Sequence, residues 1–371
     1  MNDMMSILFA SGNESKLNEL TLHRTTASLP FGGRYRLIDF TLSNLVNSGI
    51  TQIGIITSSK YQSLMDHIRQ GRDWDLNRKN AGISVFPPFA YNNSAADVYK
   101  GKIEAIYSIM SFFTKAKEDY VVIANCNIAA NIDYEKVLEK HINTGAKLTV
   151  LCHDGYTTTS RRIVIERGEN DIVKDIYETE IAGAEQKEIS LNSYIIEKNL
   201  LLELVKKAYA RGNVDFEKSI LFKLVEEQSV YAYKVESYAA IVDDVKTYYG
   251  ESMNLLNEDV RKELFMSGNA IYTKVKDSVP TVYKEGAKVK NSLLADGCVI
   301  DGTVENSILF RNVKVASGAV VKNSIVMENG VIGKDSSLKY AITDKDVVIS
   351  EGREISGFVT YPIVIVKGKT V

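Results

Sequence analysis

Apolar positions in roughly the first two-thirds of the chain fall into two alternating spacings. Residues 5–10, 53–57, 120–124 and 147–152 are short apolar runs of the length of buried strands. Between them, Ile103, Ile106, Tyr107, Met110 and Phe113 recur at three- and four-residue steps, which predicts a helix over 101–117. Further helices are expected over 42–48, 200–208 and 245–256. Strands alternating with amphipathic helices predict an α/β domain with a largely parallel sheet over residues 1–255.

Beyond about residue 275 the helical period stops, and short Val/Ile strands recur between Gly, Asn and Asp. The strands align with one another. Val289-Lys-Asn-Ser-Leu-Leu, Val304-Glu-Asn-Ser-Ile-Leu, Val321-Lys-Asn-Ser-Ile-Val and Leu338-Lys-Tyr-Ala-Ile-Thr begin 15, 17 and 17 residues apart. A second register, 295–300, 310–315, 327–332 and 344–349, keeps the same steps. Three hexapeptides per turn is the period of a parallel β-helix, expected over 281–371 after a linker at 256–280. A β-sandwich would explain the strands but not the doubled repeat. Ser292, Ser307 and Ser324 suit tight inward positions. The ends of such a coil need cover, and the α/β domain is expected to cap one of them.

Composition narrows the function. A net charge of −2 gives no reason to expect nucleic acid or an anionic membrane as partner. Cys126, Cys152 and Cys298 are far apart and lack metal-ligand spacing, so buried free thiols are expected. No apolar run reaches membrane-spanning length and no secretory pattern opens the sequence, so a cytoplasmic protein is expected. All four histidines (His23, His67, His141 and His153) precede the repeats, which disfavours hexapeptide acyltransferase chemistry.

Two further stretches carry chemical information. Ser11-Gly-Asn-Glu-Ser-Lys-Leu17 follows the first strand where a phosphate loop would lie, and Pro30-Phe-Gly-Gly-Arg-Tyr-Arg-Leu-Ile-Asp-Phe-Thr-Leu-Ser-Asn44 comes soon after. The second run, with Asn47-Ser-Gly-Ile50, Trp74-Asp-Leu76 and Pro87-Pro-Phe89, resembles the sugar-nucleotide pyrophosphorylases. The likeness is strongest to the bacterial ADP-glucose pyrophosphorylases, and it spans the whole chain. It implies a nucleotidyltransferase-like α/β domain followed by a left-handed β-helix. It also implies a reaction that makes ADP-glucose and pyrophosphate from ATP and glucose 1-phosphate, in glycogen synthesis.

Such transfer needs backbone N–H groups around the phosphates, cations to neutralise them, and carboxylates to hold a divalent metal. The chain departs from the family pattern at each position. In the G-G-x-G-(T/S)-R-L loop Gly12 remains, but Ser11 and Glu14 replace glycines and Lys16 replaces the arginine. Thr26 stands at a phosphate-facing lysine. Asn125-Cys-Asn-Ile128 replaces S-G-D-H, which puts Asn127 where an aspartate would hold the metal. Ile241 falls at the second metal aspartate, and Asp243 or Asp244 could serve only if the loop shifted by two or three residues. The sugar-lining motifs are altered at Tyr177-Glu-Thr-Glu180, Asn192-Ser-Tyr194 and Asp215-Phe-Glu217. Tyr99-Lys-Gly-Lys-Ile-Glu-Ala105 keeps Tyr99 and Gly101 of the nucleotide pocket.

The resemblance is thus to the non-catalytic, regulatory-type subunit. It implies no cofactor for this chain, with Mg²⁺ belonging to a catalytic paralogue. The two would form a hetero-oligomer, expected to be a tetramer. His23, Arg24 and Arg36, with Arg34 beside them, match basic positions of an allosteric anion site for phosphorylated sugars; salt bridging to Asp39 is the alternative. Trp74, Asp75 and Leu76 are either core or a subunit interface, the latter on the expectation of an exposed lone Trp. A weakly active enzyme and an effector-binding module remain as competing readings.

Overall fold

The computed structural model describes residues 3–12, 14–79, 81–88, 99–155, 158–181 and 186–371. Asn13 of the loop motif and Phe89 lie outside the described residues. In chain order the elements that place the site begin with β1 (Met4–Phe9), α1 (Leu37–Asn47), β2 (Gln52–Ile56), β3 (Gly82–Phe86) and α2 (Lys102–Ser108). Next come β4 (Tyr120–Asn125), β5 (Ile128–Ala130), β6 (Leu148–Gly155), β7 (Thr158–Arg167) and β8 (Val173–Ile181). The domain closes with β9 (Lys187–Glu197), α3 (Lys198–Ala210), β10 (Val230–Lys234), β11 (Ala239–Ile241) and α4 (Val245–Asn254).

These strands form a mixed sheet of order β8-β7-β9-β4-β1-β2-β3, with β6 beside β9 and β10 beside β6. The central strands β4, β1, β2 and β3 run parallel, and β9 joins β4 in the antiparallel sense. Parallel strands covered on both faces are apolar throughout, and every residue of β1 is buried. Phe9 and Asn125 are paired at the carboxyl ends of β1 and β4, the rim at which such sheets place their ligands.

Local chemistry adjusts two of the expected helices. Helix α1 begins before residue 42 because the carboxylate of Asp39, in its first turn, accepts the Arg36 backbone N–H at 3.0 Å. The helix expected over 101–117 breaks at Ile109 and resumes as Met110–Lys115, which lets Phe112 and Phe113 both reach the core. The Phe-Gly-Gly turn before α1 has a backbone reason for its residues. Gly32 and Gly33 have φ of +61° and +82°, which L side chains rarely adopt.

The repeats form a left-handed β-helix whose three faces each stack five short parallel strands. Val289, Val304, Val321 and Leu338 are Cα partners in successive coils, as the repeat alignment expects, and Ile355 continues the column into a further coil. Asparagine occupies the corners because it tolerates positive φ: Asn291, Asn306 and Asn323 have φ of 43°, 46° and 47°. Serines link neighbouring coils. Ser292 Oγ accepts the Ser307 N–H, and Ser307 Oγ accepts the Ser324 N–H, both at 3.1 Å.

The α/β domain does not cap an end of this coil; it packs on one flank. Along that face the strands alternate, with Leu309 and Val326 pointing into the coil. Ile308, Phe310, Ile325 and Met327 point out against Phe31, Phe40, Tyr248 and Tyr249. The outward residues are as apolar as the inward ones, so the flank can be buried only against another hydrophobic surface. The linker region takes part too. Its helix Glu258–Phe265 stacks Phe265 on Tyr35, with ring centroids 5.1 Å apart.

Inside this apolar contact lies one buried ion pair. Arg24 Nη2 donates to both oxygens of Asp344, at 2.8 and 2.9 Å, with Arg24 3 % and Asp344 1 % exposed. Removing one member of a fully buried pair leaves the other without compensation, at a cost of about 3–5 kcal/mol. Urea unfolding of an Asp344→Asn protein should show a stability loss of that order. An unchanged midpoint would mean that the pair does not hold the domains together.

Candidate functional site

The rim of β1 and β4 opens into a cleft, and its loop has been refilled by the chain itself. The Gly12 N–H, which a phosphate would accept from, donates instead to Glu14 Oε2 at 2.8 Å. Thr26, at the lysine position, is buried and donates its hydroxyl to Gly12 O. Lys16 lines the cleft on the side of Asp243.

The metal position follows the same logic. Ile241 on β11 pairs with Ile128 on β5, and the Val242 N–H donates to Asn127 O at 2.9 Å. Ile241, the residue aligned with the second metal position, thus lies across the strand pair from Ile128. Without any shift, the Asp243 carboxylate faces Asn127, whose Nδ2 donates to Asp243 Oδ1 at 3.0 Å. The other carboxylate oxygen is held by Arg162 Nη2 at 2.9 Å. Arg162 comes from β7, and nothing in its local sequence marks it. Burial raises the pKa of Asp243, and the Arg162 charge opposes that rise. A hard divalent ion prefers several anionic oxygens. An amide donor, an isoleucine and a carboxylate already paired with a guanidinium do not fit one. Among the described residues no group of three or more His, Cys, Asp or Glu is placed to hold a metal.

A third substitution divides the cleft. Lys102, where the family has threonine, pairs with Glu217, where the family has glycine. Lys102 also lies 5.4 Å from the Phe9 ring centroid, and the Tyr194 hydroxyl donates to Glu217 at 3.2 Å. Burial works against ionised Glu217, yet Lys102 outweighs it and lowers the pKa. On one side of Lys102 is a polar hollow of about 250 Å³ that holds Arg162, Asn192, Asp215 and Asp243. On the other is a more apolar hollow of about 440 Å³ lined by Phe9, Ile56, Tyr99, Gly101 and Ala105. Gly101 is required by space, since a Cβ there would meet Val214 O at 2.3 Å.

The basic cluster is split by the fold. Arg24 is consumed by Asp344 rather than Asp39, and His23 is exposed. Arg36 does enter a cleft between the domains, of about 120 Å³, with Arg34, Lys274, Lys276, Arg311 and Lys345. Among the described residues lining the cleft, the carboxylates that face these six basic side chains are Asp66 and Glu328, and Asp296 lies 3.7 Å from Arg311. Arg36 Nη1 is anchored to Ser63 O at 2.6 Å. Glu328 bridges Lys345 at 2.8 Å and Lys276 at 3.2 Å. Burial disfavours its charge, but the two lysines hold its pKa down to about 2. Lys345 is pushed down to about 8 by burial, in spite of Glu328. Sequence reasoning missed four of these cations because they lie in the linker and the β-helix, far from Arg34 and Arg36.

The expected interface tryptophan is a core residue. Trp74 and Leu76 are 2 % and 1 % exposed, and Trp74 packs edge-on to His67 at 5.9 Å. His67 in turn donates to buried Asp39 at 2.5 Å. Of that trio only Asp75 reaches solvent. The three cysteines are free and buried, as expected. No helix among the described residues is long and apolar enough to cross a membrane.

Comparison with known proteins bears out the family resemblance. A family model described as nucleotidyl transferase matches residues 5–249, and one described as GlmU-like, C-terminal hexapeptide matches residues 278–358. The chain is 34% identical over 367 residues to the glycogen biosynthesis protein GlgD of Bacillus subtilis, covering 99% of this chain and 96% of the relative. It is 36% identical to the GlgD protein of Geobacillus stearothermophilus, covering 86% of this chain and 83% of the relative. A glucose-1-phosphate adenylyltransferase of Bacillus mycoides is 32% identical, covering 94% of this chain and 93% of that protein. The chain belongs to the nucleotidyl transferase family, in the group formed by the GlgD proteins and the glucose-1-phosphate adenylyltransferases.

Proposed function

We propose that this chain is a regulatory, non-catalytic subunit in glycogen biosynthesis. It assembles with a catalytic paralogue that makes ADP-glucose from ATP and glucose 1-phosphate. The observation that carries this reading is the metal position, where Ile241 and Asn127 replace carboxylates and Arg162 pairs with Asp243. In a nucleotidyl transfer the divalent ion neutralises charge on the phosphates. Among the described residues no carboxylate pair faces that position free of a guanidinium, and Mg²⁺ is assigned to the partner's site.

The interdomain cleft supplies a means of regulation. Six basic side chains around a small hollow favour a phosphate-sized anion, and they come from both domains. A ligand that bridges them stabilises one arrangement of the domains over others and so shifts the population presented to the partner. A phosphorylated sugar has the charge and hydroxyl groups for such a role.

The deciding assay is ADP-glucose formation by this chain alone, by a catalytic paralogue alone and by the mixture. The expected result is silence from this chain and an altered rate or effector response in the mixture. Turnover by the chain alone comparable to the paralogue would make it an enzyme. Asn127→Asp alone should not create efficient turnover, because Arg162 and Ile241 still deny the metal; robust activity from that change would overturn the reading.

The anion cleft has its own pH signature. Lys345 carries its charge below about pH 8 and loses it above. Inorganic phosphate should therefore bind more weakly as pH rises through that value, even though phosphate itself gains negative charge on the way up. Arg36→Ala should weaken phosphate roughly tenfold, the size of one charge-assisted contact, while leaving the unfolding midpoint close to that of the parent. Titration calorimetry at several pH values checks both, and pH-independent binding would remove the cleft from the account.

A further inference from the structure

The six cations of the interdomain cleft differ in what they already hold. Lys345 and Lys276 are bridged by the carboxylate of Glu328, at 2.8 and 3.2 Å. Glu328 and Lys345 are both largely buried, so salt and water screen their contact little. The other four cations are open. Among the described residues no carboxylate pairs with Arg34, Arg36 or Lys274. Arg36 Nη1 donates to Ser63 O and Oγ, and Lys274 Nζ donates to Asp66 O, so these contacts are to neutral oxygens. The Asp66 carboxylate itself accepts from Gln62 at 3.2 Å. Arg311 is 3 % exposed, and its Nε has no hydrogen-bond partner among the described residues; Asp296 stands 3.7 Å away. A buried guanidinium N–H without an acceptor is costly, and an anion in the hollow would supply one.

We propose that Glu328 is a tethered anion that fills the place of a second phosphoryl group, so that the cleft selects singly over doubly phosphorylated ligands. One phosphoryl group takes the open set: Arg34, Arg36, Lys274 and the Nε of Arg311. A second must meet Lys276 and Lys345, where Glu328 already sits and repels it. Glu328 stays charged in this role, because its two lysines outweigh the burial that disfavours its ionisation. Selectivity of this kind comes from a repulsive group facing the wrong ligand as much as from contacts with the right one. The inference rests on the anion cleft proposed above and adds the residue that decides which anions it admits.

The test is titration calorimetry of the full chain with inorganic phosphate and with pyrophosphate, the smallest ligand with two phosphoryl groups. Parent and Glu328→Gln proteins are compared, and Arg36→Ala marks which binding belongs to this cleft. In the parent, pyrophosphate is expected to bind no more than about threefold more tightly than phosphate, in spite of its greater charge. Glu328→Gln keeps the size of the side chain and removes its charge. It should raise the affinity for pyrophosphate at least about tenfold, one charge-assisted contact's worth, and that for phosphate by about threefold or less. An unchanged pyrophosphate-to-phosphate ratio in folded Glu328→Gln overturns the inference. So does Arg36-dependent binding of pyrophosphate to the parent that is about tenfold tighter than that of phosphate, a result that needs no Glu328 variant to fold. In both cases the anion cleft itself stands, provided Arg36→Ala weakens phosphate. If neither anion shows Arg36-dependent binding, the cleft and this inference fall together.

Discussion

A carboxylate withdrawn from water must find a positive charge, and the source of that charge decides what a nucleotidyltransferase-like cleft can do. When the cation is a divalent ion held by two aspartates, it is exchangeable and meets the phosphates of a substrate. Here the carboxylate is Asp243 and the cation is Arg162, covalently part of β7. The guanidinium cannot leave, and Asn127 fills the remaining oxygen of Asp243. The same replacement of ligand by side chain recurs at Gly12, where Glu14 takes the place of an incoming anion, and at Lys102, where Glu217 does. These are separate substitutions with one physical effect. The cleft satisfies its own charges, the feature on which the proposed non-catalytic role rests.

The second constraint is the apolar flank of the β-helix. Because Ile308, Phe310, Ile325 and Met327 point outward, the coil is bound to the α/β domain along its side. That docking brings the linker cations Lys274 and Lys276, and the coil cations Arg311 and Lys345, opposite Arg34 and Arg36. Neither domain alone contains the anion cleft. A site assembled across a domain boundary is sensitive to how the domains sit, as the proposed effector role requires.

Much of this was legible in the sequence because the signals were periodic. The repeat alignment places Val289, Val304, Val321 and Leu338 in one column, and the structure pairs those residues. The apolar runs located four strands of the sheet, β1, β2, β4 and β6, to within three residues at each end. The sequence leaves Trp74 open between core and interface because burial of a single side chain depends on tertiary neighbours, here His67, that no local pattern encodes. The flank docking was missed because inward and outward positions of the coil are both apolar at that face. The nearness of Asp243 to Asn127 follows from the pairing of β11 with β5, which a linear alignment does not show. Arg162 and the distant cations of the anion cleft carried no motif at all; only the fold brings them together.

The central claim concerns which cation neutralises Asp243. Crystals of the isolated chain soaked with Mn²⁺ and ATP, measured for anomalous scattering from manganese, test it directly. The account predicts no manganese at Asp243, with Arg162 still paired to the carboxylate. Manganese bound to Asp243, with Arg162 displaced, would contradict it.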